Sequence, residues 1–275
     1  VEYFKAVLLA IVEGITEFLP VSSTGHLILL ENYLVLAGSR EFAAAFMVII
    51  QLPAIAAVVV YFWRDLWPFG DPEKTPKTLR LWTVIGVAFI PAVVLGLLLD
   101  DFIKARLFSP YVVCVALFVG GVFLIVLERL RHTVTVHSVH DITYPTAFFI
   151  GCFQCLAMIP GTSRSASSII GGMLLGASRP VAAEFSFFLA VPTMLGATVL
   201  TMYKVGLNFT GQEWVLLIIG SVVSFVVAYL SIAFLMRYIQ RHSFAAFGVY
   251  RIILSILVMT LLLTGWSGLA GSIVD

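Results

Sequence analysis

The chain reads as an all-α polytopic membrane protein: six transmembrane helices plus two re-entrant helix–loop–helix hairpins, arranged as an inverted-topology repeat. Three observations predict this. Hydrophobic residues fill 61% of the 275 positions and charged residues 11%, against roughly 45–50% and about 25% in soluble domains. Mean hydropathy is +1.07, too apolar for a surface facing water on all sides. Finally, six stretches reach the roughly 20 apolar residues that a span requires, and two others are interrupted midway by polar turns.

Residues 1–38 form the first interrupted stretch, broken at Leu19-Pro20-Val21-Ser22-Ser23-Thr24-Gly25. Spans are expected at about 42–63, 81–100 and 110–128. Most of the charge sits in the connections, above all in 64–80, with Arg64, Asp65, Asp71, Glu73, Lys74, Lys77, Arg80 and three prolines. The second interrupted stretch, 144–178, breaks at Ile159-Pro160-Gly161-Thr162-Ser163-Arg164-Ser165, and spans at about 182–203, 214–236 and 246–265 follow. Each flank of the two breaks is short for a span. Irregular backbone at membrane depth survives only where protein or a wet cavity surrounds it, so both stretches are expected to dip in and return.

The halves resemble each other. With Pro20 set on Pro160, Ser22-Ser23-Thr24 falls on Thr162-Ser163-Arg164, and Pro53 falls near Pro192. This defines one transmembrane domain of two repeats, about 1–128 and 144–265, with a tail at 266–275. Placing loop 64–80 on the cytoplasmic side leaves nine basic residues inside and five outside, as the positive-inside rule asks. The two hairpins then enter from opposite faces, and an inverted repeat places its shared site near the midplane.

Composition also excludes classes. The net charge of +1 gives no basic stripe for nucleic acid. Glu13 and Glu17 inside the opening apolar run speak against a cleavable signal peptide. Cys152 and Cys155 have redox or zinc-half-site spacing but no second pair, so they and Cys114 read as small packing residues.

Ionisable residues at membrane depth are functional candidates by default. Glu13 and Glu17, four apart, project from one helix face. Two such carboxylates repel unless one is protonated or a cation lies between them, and a divalent cation (Mg²⁺ or Ca²⁺) suits that place. Ser22, Ser23 and Thr24 open the next helix, where hydroxyls and N–H groups bind anions. His26, three residues after Ser23, is placed to face it as the base of a nucleophile or of a water. In the second hairpin, Gly161, Thr162, Ser163, Arg164 and Ser165 suit phosphate, the guanidinium fork taking two oxygens and the hydroxyls the rest. A carboxylate partner for a buried Arg164 would be Glu17 or Glu184. Gln51, Gln154, Glu184 and Arg251 read as supporting or helix-pairing residues.

These residues form a constellation for phosphoryl transfer, with a lipid-tailed substrate entering from the bilayer. A lipid carrier or ion-coupled transporter could use the same inverted repeat but does not require the Ser23/His26 pair. An intramembrane protease or acyltransferase does not require the two carboxylates and the arginine turn.

The run from Glu13 to His26, EGITEFLPVSSTGH, resembles the first signature of the undecaprenyl-diphosphate phosphatase family of the bacitracin-resistance type, and PGTSRS at 160–165 resembles the second. The resemblance covers nearly the whole chain, including Glu184-Phe185-Ser186-Phe187 and Tyr250-Arg251; Ala166 departs where many members have glycine, and the segment after about Trp266 has no counterpart. It implies a multi-pass bacterial inner-membrane enzyme that removes the terminal phosphate of undecaprenyl diphosphate. That reaction recycles the lipid carrier for peptidoglycan synthesis and confers bacitracin resistance. It implies Glu13, Glu17, Ser23, His26 and Arg164 as catalytic residues, a divalent cation at Glu13 and Glu17, and a polyprenyl diphosphate and membrane lipids as partners. Nucleophile (Ser23, His26 or water) and oligomeric state, a homo-oligomer included, stay open.

Overall fold

The computed structural model describes residues 1–30, 36, 40–69, 71–130, 133–206 and 209–264. The tail expected at 266–275 and positions 31–35, 37 and 38 of the first hairpin lie outside these. The described residues are helical throughout, apart from turns and one isolated bridge between Val136 and Ala177. The helices are α1 (Glu2–Thr16), α2 (Ser23–Leu30), α3 (Arg40–Ile49), α4 (Gln51–Tyr61), α5 (Trp63–Leu66), α6 (Thr75–Leu107), α7 (Pro110–Arg129), α8 (Tyr144–Gln154), α9 (Arg164–Leu174), α10 (Arg179–Val205), α11 (Gly211–Tyr238) and α12 (Ala245–Leu263).

Among the described residues, six helical segments are long and apolar enough to cross a membrane: Phe42–Tyr61, Thr75–Leu99, Pro110–Arg129, Arg179–Tyr203, Gly211–Tyr238 and Ala245–Leu263. They match the six expected spans, with one correction at a boundary. Part of the charged 64–80 connection is helical, because Pro76 at the start of α6 fixes φ where no N–H is needed. Along the outward faces, Leu97, Val199, Ile218, Leu230 and Ile253 are exposed, an apolar exterior that only lipid covers without cost.

The span made by α3 and α4 is interrupted at Ile50. Pro53 has no N–H to give back along the helix. Backbone carbonyls of this turn are taken from neighbouring helices: Ser224 Oγ donates to Ile50 O at 2.8 Å and Thr198 Oγ1 to Val48 O at 3.3 Å.

Packing between the halves is crossed. The short helix α1 packs on α11, whereas α8 packs on α6, and α7 pairs with α12. Small residues permit both crossed contacts. A Cβ on Gly14 would stand 2.9 Å from Val227 Cβ of α11, and one on Gly151 would run into the Ala88 carbonyl of α6. At one end of the bundle, the buried Glu128 carboxylate accepts from Arg179 (2.5 and 2.9 Å) and from the Phe244 N–H (2.8 Å), joining α7, α10 and the α11–α12 turn. Of the cysteines, Cys114 is buried as a packing residue and Cys155 gives its thiol to Gly151 O, whereas Cys152 is exposed.

Candidate functional site

The polar turns 17–22 and 159–163 meet inside the bundle. The first begins where α1 ends: Glu17 N–H closes the last turn on Glu13 O at 3.0 Å. Its backbone then passes through Pro20 to Ser22, which holds φ 71°. That left-handed residue turns the chain into α2, whose N-terminal Gly25 N–H reaches Ser22 Oγ at 3.5 Å. The second turn is built the same way. Ser163 holds φ 74° and caps α9, its Oγ accepting from Ala166 N–H at 3.3 Å. Among the described residues, Ser22 and Ser163 are the two non-glycine positions with positive φ. A conformation that costs a non-glycine residue on the order of 1–3 kcal/mol therefore recurs directly before α2 and α9, one residue apart in the alignment that sets Pro20 on Pro160.

Gly161, at φ 91°, has a steric reason as well. A Cβ there would stand 2.5 Å from the Val113 carbonyl oxygen of α7. Gly161→Ala is expected to destabilise the protein by about 2 kcal/mol or more, read as a lower midpoint of thermal unfolding in detergent.

Glu17 is the node between the turns. One carboxylate oxygen accepts from Arg164 Nη2 at 3.1 Å and the other from Ser23 Oγ at 3.3 Å. Arg164 is oriented further by Ser186 O (3.1 Å from Nη1), by Met194 Sδ (3.3 Å from Nη2) and by the Phe18 ring beneath it at 5.6 Å. Both side chains are about nine-tenths buried. Of the two partners that the sequence offered Arg164, the structure takes Glu17. Ser165 ties the turns together, its Oγ donating to Leu19 O at 3.0 Å.

Glu13 lies fully buried one helical turn before Glu17, so the two carboxyl groups are close neighbours. One Glu13 oxygen accepts from Gln51 Nε2 at 3.0 Å, while Oε2 has no hydrogen-bond partner. Arg164 Nε is likewise buried without one. An unpartnered carboxylate oxygen and an unpartnered guanidinium N–H, both in the same site, fit a cation and an anion respectively. Among the described residues, no group of three His, Cys, Asp or Glu stands together. A cation held here would draw on Glu13 and Glu17 and complete its shell with ligand oxygens, as Mg²⁺ commonly does.

Ser23 and His26, three residues apart, do not bond each other: Ser23 turns to Glu17, while His26 gives Nδ1–H to Ser22 O at 2.8 Å and meets Tyr250 OH through Nε2 at 2.6 Å. Because the carbonyl can only accept, Nδ1 carries the proton and Nε2 accepts from the phenol. Thr162 has a second neighbourhood. It lines an apolar cavity of about 580 Å³ between α7 and the α8–α9 hairpin, together with Val115, Val119 and Phe153. Thr24 stands half-buried on the first turn of α2, and Ser163 Oγ lies 3.1 Å from Ser165 Oγ.

Sequence reasoning missed Ser186, Met194 and Tyr250 as contacts of the site. Tyr250 and Ser186 stand in stretches that carry the family resemblance, Tyr250-Arg251 and Glu184-Phe185-Ser186-Phe187. Ser186, however, reaches Arg164 through its backbone carbonyl and Met194 does so through a thioether, contacts that a motif does not specify.

Residues 6–257 match the family model described as bacitracin resistance protein BacA. The chain is 51% identical over 261 residues to undecaprenyl-diphosphatase 1 of Clostridioides difficile strain 630, covering 94% of this chain and 95% of the relative. It is 53% identical over 265 residues to undecaprenyl-diphosphatase of Fusobacterium nucleatum, covering 93% and 99%, and 47% identical over 266 residues to that of Enterococcus faecalis, covering 94% and 96%. Both turns and every residue of the site fall inside the matched region, and the chain belongs to the bacitracin resistance protein BacA family.

Proposed function

We propose that this protein hydrolyses undecaprenyl diphosphate to undecaprenyl phosphate and inorganic phosphate, regenerating the lipid carrier that peptidoglycan synthesis consumes and so conferring bacitracin resistance. The observation that carries the chemistry is Glu17, held at 3.1 Å from Arg164 of one turn and at 3.3 Å from Ser23 of the other. The substrate comes from the relatives named undecaprenyl-diphosphatase and from the lipid-facing exterior, through which a prenyl tail enters sideways.

In this reading Arg164 takes the terminal phosphate, its unpartnered Nε–H included, and N–H groups at the start of α9 add donors. Ser23 Oγ attacks the terminal phosphorus in line, Glu17 accepts its proton, and the bond from phosphorus to the bridging oxygen breaks to release undecaprenyl phosphate. Glu17 passes that proton to the departing undecaprenyl phosphate and, again a carboxylate, deprotonates a water that attacks the phosphoserine. The P–Oγ bond breaks, Ser23 Oγ takes the proton back from Glu17, and inorganic phosphate leaves. His26 stands beside this exchange, its Nε2 lone pair engaged by Tyr250. A divalent cation at Glu13 and Glu17, Mg²⁺ or Ca²⁺, would supply charge neutralisation for the phosphate oxygens. Transport alone would leave the Ser23–Glu17 contact without a task.

The site belongs to one transmembrane domain of two inverted repeats, about 1–128 and 144–265, each contributing a re-entrant hairpin. Several pairings support the repeat. Ser22 and Ser163 share their backbone conformation, and the first helix of each hairpin packs on the second span of the other half. Gln51 bonds Glu13 across 38 residues, as Gln154 bonds Thr193 across 39. Exposed Trp63, Trp67 and Trp82 at one end of the bundle and Tyr111, Tyr203 and Trp214 at the other suit the two interfaces of a bilayer. The bacterial inner membrane is the compartment consistent with this substrate.

The test is phosphate release from undecaprenyl or farnesyl diphosphate by the purified protein in detergent. Release that falls at least about a hundredfold in EDTA and returns with Mg²⁺ or Ca²⁺ is the expected result. Undiminished release in EDTA would remove the cation from the scheme, and no release under any condition would remove the phosphatase.

A further inference from the structure

Arg251 sits in the middle of α12 and is completely buried. A guanidinium in that position calls for an anion, yet among the described residues no carboxylate pairs with it. Its partners are backbone carbonyls on three separate segments. Nη2 donates to Gly161 O at 3.1 Å and to Ala116 O at 3.2 Å, Nη1 to Pro20 O at 3.4 Å, and Nε to Leu117 O at 3.4 Å. Pro20 belongs to the turn that presents Glu17 and Ser23, and Gly161 to the turn that presents Arg164. One planar group thus spans both catalytic turns and fastens them to α7.

The neighbours are shaped to receive it. A Cβ on Gly120 of α7 would collide with the Arg251 guanidinium, standing 3.0 Å from Cζ. On Gly121 it would lie 2.7 Å from the Gly248 carbonyl of α12 and 3.1 Å from Arg251 Cβ. The two glycines let α7 and α12 approach closely enough for the guanidinium to reach past α7 to both turns. Burial of a charge without a counter-ion is costly, and here four carbonyl dipoles compensate it.

We infer that Arg251 is a positioning residue of the active site: it sets the distance between the turn bearing Glu17 and Ser23 and the turn bearing Arg164. The inference rests on the phosphatase reading for its kinetic readout but not for its binding readout. Lysine in its place keeps the charge but has a single nitrogen, which cannot reach carbonyls spread around a planar fork. Without the fork the turns lose their common reference, and misplacement of reacting groups by about 1 Å can cost on the order of a hundredfold in rate.

The experiment compares wild type, Arg251→Lys and Gly120→Ala, purified in detergent, with farnesyl diphosphate as substrate. Thermal unfolding is followed with and without inorganic phosphate. Both variants are expected to stay folded, with kcat lowered roughly a hundredfold and KM changed only about threefold or less. Inorganic phosphate is expected to raise the unfolding midpoint of wild type but not of either variant, and this arm needs no turnover. Wild-type kcat together with wild-type protection by phosphate in Arg251→Lys would overturn the inference. So would a loss of rate that only follows the fraction of folded protein. If wild type binds phosphate yet releases none from any prenyl diphosphate, the phosphatase reading fails, and protection by phosphate alone decides the role of Arg251.

Discussion

Arg164→Ala is expected to lower turnover by about a thousandfold or more while the protein remains folded. Among the described residues, the guanidinium is the one cation that both contacts the first turn, through Glu17 at 3.1 Å, and has a buried N–H without a partner. Removing a preorganised donor from developing phosphate charge typically costs a hundred- to a thousandfold, and an arginine at a transferring phosphoryl group costs more. Stability should change far less. Arg164 holds Ser186 O and Met194 Sδ at the rim of a site that already contains unpartnered groups, and the helix pairs that carry the bundle lie elsewhere. Arg164→Lys should recover only part of the rate, since a point charge cannot serve Glu17, Ser186 O and a phosphate in one plane. Steady-state phosphate release beside a thermal melt reads both effects; wild-type turnover in Arg164→Ala would dismiss the phosphate assignment.

Glu17→Gln should be nearly as severe, with kcat about a thousandfold down and KM little changed. The amide keeps an oxygen for Arg164 and almost the same volume, so the turn geometry survives. What disappears is the basic oxygen 3.3 Å from Ser23 Oγ, and general-base catalysis is typically worth a hundred- to ten-thousandfold. Ser23→Ala should match it, and the double variant Glu17→Gln/Ser23→Ala should be no worse than either single one, because groups that act as a unit are not additive. Full turnover in Ser23→Ala would transfer the attack to water and leave Ser23 as a phosphate ligand.

Much of this site was legible in the chain. The six spans declare themselves through hydropathy, which needs no knowledge of neighbours. The two turns declare themselves because proline, glycine and consecutive hydroxyls are out of place at membrane depth, and the carboxylates of Glu13 and Glu17 for the same reason. What resisted reading was the choice of partner. Spacing places Ser23 and His26 within reach of each other, but a carbonyl one turn back claims Nδ1 and a phenol 224 residues away claims Nε2. Nothing local encodes the second contact. Thr162 follows a glycine at φ 91° and also borders the apolar cavity, a placement that spacing alone does not give. Arg251 looked like a helix-pairing residue because its targets are carbonyls, and every residue has one.

The crossed packing of α1 on α11 has a consequence for how the protein is made. The first hairpin helix is made well before the helix that covers Gly14, which among the described residues is the fifth of six spans. Throughout synthesis of the intervening chain, Gln51 is there to meet Glu13, but the Gly14 side of α1 lacks the Val227 that covers it in the finished bundle. The opening hairpin therefore cannot reach its final seat by itself. Its last docking waits for α11, so a nascent chain halted before that helix holds both signature motifs with α1 not yet fully seated.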